Sequence, residues 1–112
     1  MQSNITYFNK NNIIQVVKNL TPNSTIITDN LTLKQLIEKY NSSCIIQYHA
    51  RKYLHQAIQS IHPDIVFLLH NSGKTISFIQ STNPNIIVYT LELSESEQHI
   101  NNLTDELEDL QP

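Results

Sequence analysis

Two hydrophobic rhythms alternate along this chain. Short apolar runs rich in β-branched residues give way to longer stretches whose apolar positions recur every three or four residues. The first rhythm marks strands and the second marks helices. "ITYF" at residues 5–8 predicts a short strand, and Ile13, Ile14, Val16, Val17 and Leu20 predict a helix face after it. "TPNS" breaks the chain at Pro22, and "TIIT" from Thr25 to Thr28 predicts the next strand. Leu33, Leu36, Ile37 and Tyr40 then share one helix side. Thr32, with Gln35 three residues on, has the form of a capping box for that helix. "CIIQY" predicts a third strand, and "ARKYLHQAIQSI" a helix that turns Tyr53, Leu54, Ala57, Ile58 and Ile61 inward. His62-Pro63 should end it, because the residue before proline is pushed out of the helical region.

The run "DIVFLL" has no polar alternation, as expected of a strand covered on both faces. "GKTISFIQST" predicts a shorter helix, "NPNIIVYT" a fifth strand, and "SESEQHINNLTDELEDL" a last helix with Ser94 and Glu97 as a second capping box. Strand and helix alternate about five times with short connections. That pattern predicts one α/β domain over residues 1–112, a five-stranded parallel sheet with helices on both faces.

Composition narrows the function classes. The chain has 112 residues, 39% hydrophobic and 15% charged, and a formal net charge of -3. That balance argues against direct nucleic-acid binding, which normally shows a basic excess. Gly73 is the only glycine, so no Gly-rich phosphate loop is present and no nucleotide cofactor is expected. Cys44 is the only cysteine, which excludes an intrachain disulfide and fits a reducing cytoplasm. The first residues lack a signal-peptide pattern, and no apolar run is long enough to span a membrane.

Open α/β sheets bind ligands beyond the carboxyl ends of their strands. The five predicted strands deliver Asn9 and Lys10, then Asp29 and Asn30, then His49, then Leu69, His70 and Asn71, and last Thr90 and Glu92. At these positions the chain resembles the receiver domain of bacterial response regulators. "IITDN" is similar to the first receiver strand with its acidic pair. "HPDIVFLLHNSG" is similar to the third strand, which carries the phospho-accepting Asp before a Gly-containing turn. "NPNIIVYT" is similar to the fourth, which ends in Thr or Ser. "ITYFNKNNIIQVVKNL" is similar to the family's fifth unit, with Tyr7 and Lys10 at the spacing of its aromatic residue and Lys.

The resemblance implies a flavodoxin-like, receiver-like fold, circularly permuted so that the fifth βα unit leads the chain. It also implies a vestigial phosphorylation pocket formed by Asp29, Asn30, Leu69, Thr90 and Lys10. Thr90 and Lys10 match the residues that take the phosphoryl oxygens, and Asp29 matches one of the acidic pair. Asn30 lacks the second charge, and Leu69 stands at the phospho-acceptor. A leucine neither accepts a phosphoryl group nor binds Mg²⁺, which needs hard oxygen ligands. A one-residue slip would put His70 there instead, at the cost of turning the strand's side chains over.

The resulting expectation is a phosphorylation-independent pseudo-receiver. It would signal through protein–protein contacts, in the cytoplasm, with no catalytic residues, no cofactor and no bound metal. Ile100, Leu103, Leu107 and Leu110 make an a/d-type stripe on the last predicted helix, whose other positions are acidic from Glu92 to Asp109. The stripe either packs on the domain's own sheet or, with Tyr89, forms a contact face for a homodimer or another protein. Two other readings stay open. In one, Asp29, His49, His70 and Thr90 bind a ligand or metal at the strand ends, although His49, His55, His62, His70 and His99 lack tight metal-ligand spacing. In the other, the chain is a structural subunit whose "ITYF" strand pairs with another chain.

Overall fold

A computed structural model describes residues 4–69 and 73–91. Five strands, β1 (Ile5–Phe8), β2 (Thr25–Thr28), β3 (Ile45–Tyr48), β4 (Ile65–Leu68) and β5 (Ile87–Leu91), alternate with four helices. The helices are α1 (Ile13–Lys18), α2 (Leu31–Tyr40), α3 (Arg51–Ile61) and α4 (Gly73–Thr82). The strands form one sheet in the order β1-β5-β4-β2-β3, and every pair is parallel. The architecture is α/β and compatible with a flavodoxin-like fold. β1 pairs with β5 of its own chain, in the register Ile5 to Val88 through Phe8 to Leu91.

This order explains the placement of the helices. The β1-to-β2 and β2-to-β3 connections travel in one direction across the sheet. The β3-to-β4 and β4-to-β5 connections travel in the other. Parallel crossovers are right-handed, so opposite directions put helices on opposite faces. The core divides accordingly. On one face, Ile13 and Val17 of α1 and Leu33, Leu36 and Ile37 of α2 pack on Phe8, Ile26, Ile65 and Phe67. On the other, Leu54, Ala57 and Ile58 of α3 and Ile79 of α4 pack on Ile27, Val66, Leu68 and Val88. β4 lies at the centre of the sheet and all four of its residues are buried, which accounts for its unbroken apolar run.

Three local features need comment. The cap of α2 is Asn30 and not Thr32. The Asn30 side-chain oxygen accepts the Leu33 N–H at 2.9 Å, so the helix begins at Leu31, two residues earlier than the capping-box pattern predicts. Thr32 is buried in the first turn instead. Asn30→Ala should lower stability by about 1 kcal/mol, read from the urea midpoint, because an orphan N–H loses its acceptor.

Tyr53 does not turn inward with its helix. It is 54% exposed, and the Lys52 ammonium lies 5.0 Å from its ring centroid. Leu54, Ala57, Ile58 and Ile61 complete the three-and-four spacing without it. As expected, α3 stops before Pro63. His62 caps it in the left-handed region, with φ of 55°.

At the β1–α1 junction, asparagines take over the work of backbone pairing. The Asn9 Oδ1 accepts the N–H groups of Asn11 and Asn12, and the Asn12 Oδ1 accepts the Asn9 N–H. Asn41, after α2, donates from Nδ2 to the Val17 and Leu20 carbonyls, tying off the end of α1. Among the described residues, no helix is long and apolar enough to cross a membrane. The second predicted capping box, at Ser94 and Glu97, lies outside the described residues.

Candidate functional site

The helix after β2 and the helix after β4 leave the sheet on opposite faces, and these two strands are neighbours. Their carboxyl ends therefore flank the switch point where a doubly wound sheet opens a crevice. Asp29 follows β2 there and Leu69 follows β4.

Asp29 is buried at the junction. Its Oδ1 accepts the Leu69 N–H at 2.8 Å, and its own N–H reaches the Phe67 carbonyl at 3.4 Å. The carboxylate thus satisfies a backbone donor that the β2–β4 ladder leaves open, and closes the two strands over one another. A hydrogen bond to a charged acceptor is among the stronger kind. Next to it, the Asn30 side chain is committed to the α2 cap. Both residues of the "DN" pair therefore have structural partners, Asp29 across the crevice and Asn30 within α2.

Leu69 is 1% exposed and belongs to the apolar cluster on the α1/α2 face. Its side chain continues the alternation of Ile65 and Phe67 on that face. The residue that follows β4 is thus an apolar side chain sealed into the core. The one-residue slip involves His70, which lies outside the described residues, as does Asn71.

Thr90 is fully buried near the end of β5, between Leu68 of β4 and Tyr7 of β1 in register. Its hydroxyl has no hydrogen-bond partner among the described residues. An unmatched buried hydroxyl costs about 1–3 kcal/mol. Thr90→Val should therefore hold or raise the thermal midpoint, and a clear fall would mean that the hydroxyl has a partner. Lys10 is exposed, in the turn held by Asn9 and Asn12 beyond β1. β1 is an edge strand separated from β4 by β5, so Lys10 stands to one side of the β2–β4 crevice.

Tyr89 is half-buried on the α1/α2 face, with its ring stacked on Phe67 at 4.9 Å. Burial raises its phenol above the ordinary value of 10.0. Of the other contact residues, Ile100, Leu103 and Leu107 lie outside the described residues, with Leu110. His49 is at the end of β3, where its N–H extends the ladder to the Thr28 carbonyl and its ring meets the Gln47 side chain at 3.1 Å. Among the described residues, no group of three or more His, Cys, Asp or Glu side chains is placed to hold a metal ion.

No protein-family model matches the chain, and no curated protein or solved structure matches it either.

A feature that the hydrophobic pattern did not mark lies at the opposite end of the sheet. Thr21 to Ser24, Pro63 to Ile65, Asn83 and Asn85 to Ile87 line an open cleft of about 450 Å³ at the amino ends of β2, β4 and β5. Its one carboxylate, Asp64, accepts the Thr25 N–H at 3.0 Å, so this group also holds strands together. The turn-rich sequence at "TPNS" and "NPN" was the available signal, since these segments lead into β2 and β5, the strands on either side of β4.

Proposed function

We propose that this protein is a receiver-like regulatory module that acts by protein contact, without a phosphorylation cycle of its own. The observation that carries the reading is the state of the crevice. The leucine that the resemblance matches to the phospho-acceptor lies in the core, and among the described residues the one carboxylate beside it is bonded to that leucine's own N–H. Those residues offer no acidic pair of the kind that metal-assisted phosphoryl transfer requires.

The strand order supports the permuted form of the reading. Counted from β3, the order β3-β2-β4-β5-β1 is the doubly wound order 2-1-3-4-5 with the last unit moved to the front of the chain. Chain ends that lie close together allow such a rearrangement.

With no switchable pocket, the contact surface is constitutive, and the partner is a second copy of this chain. The contact residues are Ile100, Leu103 and Leu107, together with Tyr89. Sedimentation across a dilution series tests this. Association that weakens on dilution, and that Leu103→Asp abolishes without unfolding the chain, fits the proposal. A monomer at every concentration would reject self-contact.

A further inference from the structure

The net charge of -3 conceals a sharp division. Residues 4–91 contain seven basic and three acidic residues, a net of +4, whereas residues 92–112 contain seven acidic residues and no Lys or Arg, a net of -7. The three acids of the folded body lie away from the exposed rim at the carboxyl ends of the strands, or are buried beneath it. Asp29 is buried at the switch point, Asp64 lies at the amino end of the sheet, and Glu38 bonds Lys34 within α2 at 2.9 Å.

Among the described residues, the exposed charges of that rim are basic. Arg51 and Lys52 open α3 and Lys74 opens α4, while Lys10 stands beyond β1. Neither helix has an acidic residue in its first turn. Cations at the positive end of a helix dipole oppose the arrangement that would stabilise the helix, and anions are favoured there. α3 and α4 are neighbours, with the His55 ring stacked on Phe78 at 4.3 Å, so their basic first turns face the same way.

We propose that residues 92–112 dock in cis on this basic rim through their carboxylates. The chain leaves β5 at Leu91, at the carboxyl end of the sheet, directly beside the strand that leads to Lys74. The basic strand ends are close to it. At about 4.8 Å between neighbouring strands, β3 is only about 14 Å from β5. Twenty-one residues span about 31 Å even when helical, so every rim position is within reach. Tethering gives the segment a high effective concentration at the rim, which offsets the weakness of individual exposed ion pairs. Ionic strength then sets the occupancy, because exposed charges are screened over about 10 Å at 0.1 M salt. This inference concerns the acidic positions and is independent of the apolar stripe and of the state of the crevice.

The test uses the full chain carrying Asp105→Asn, Glu106→Gln, Glu108→Gln and Asp109→Asn together. Amide NMR spectra are recorded at low and high salt and at several protein concentrations. Docking in cis predicts that the Lys10, Arg51, Lys52 and Lys74 amides of the unmodified chain move with salt. It predicts further that the neutralised variant at low salt already shows most of that displacement, and that neither effect changes with protein concentration. A second variant, Arg51→Gln with Lys52→Gln and Lys74→Gln, should move the amides of residues 105–109 in the same manner. Rim amides that coincide in the variant and the unmodified chain at low salt would overturn the proposal. So would displacements that vanish on dilution, since these would assign the acidic segment to a second molecule.

Discussion

Leu69→Asp should destabilise the protein by about 3–5 kcal/mol and should not create a phosphorylation site. The leucine side chain is sealed into the α1/α2 face, so the substitution removes core volume, a change that costs about 2–5 kcal/mol in other buried leucines. It also forces a carboxyl group into an apolar setting, close to the Asp29 carboxylate that accepts the Leu69 N–H. A domain of this size has only about 5–15 kcal/mol of stability in total. The urea midpoint should therefore fall steeply. The opposite result, a small loss that added Mg²⁺ restores, would mean that the side chain turns into the crevice and that only the carboxylate was missing.

Phe67→Ala is expected to cost as much or more, about 3–5 kcal/mol. Phe67 is on the central strand, with the Phe8 ring 5.2 Å away and the Tyr89 ring stacked at 4.9 Å. These three rings join β1, β5 and β4 across half the sheet. Their loss should loosen β1 first, because it is an edge strand held by one neighbour. Hydrogen exchange should show the amides of Ile5 to Phe8 losing protection ahead of those of β2. Equal loss in both strands would mean that the sheet opens as a single unit.

The central strands β4 and β2 were legible because their burial is close to uniform. "IVFL" at the sheet centre has no polar position to hide its character, and "TIIT" follows it closely. The inward stripe of α3 could be read from Leu54, Ala57 and Ile58, but Tyr53 could not be separated from it. Its exposure is set by tertiary packing and not by the helical spacing. Asn30 and Thr32 are both good capping residues, and exposed Leu31 gives no periodic signal to show which one starts the helix. The use of Asp29 was hidden for a different reason. Its partner, the Leu69 N–H, is 40 residues away and is a backbone group, so side-chain identity carries no trace of the pairing. The sequence marked Leu69 as an apolar residue at the end of its strand, and the fold buries it in the α1/α2 core.

The most direct test of the central claim is an amide NMR titration of the unmodified chain with Mg²⁺ and beryllofluoride. The complex mimics an aspartyl phosphate where a receptive carboxylate and a metal site exist together. A sealed, phosphorylation-independent crevice predicts no saturable shifts at Asp29, Leu69 or Thr90. Saturable shifts at those three positions would contradict it and show a working anion and metal site between β2 and β4.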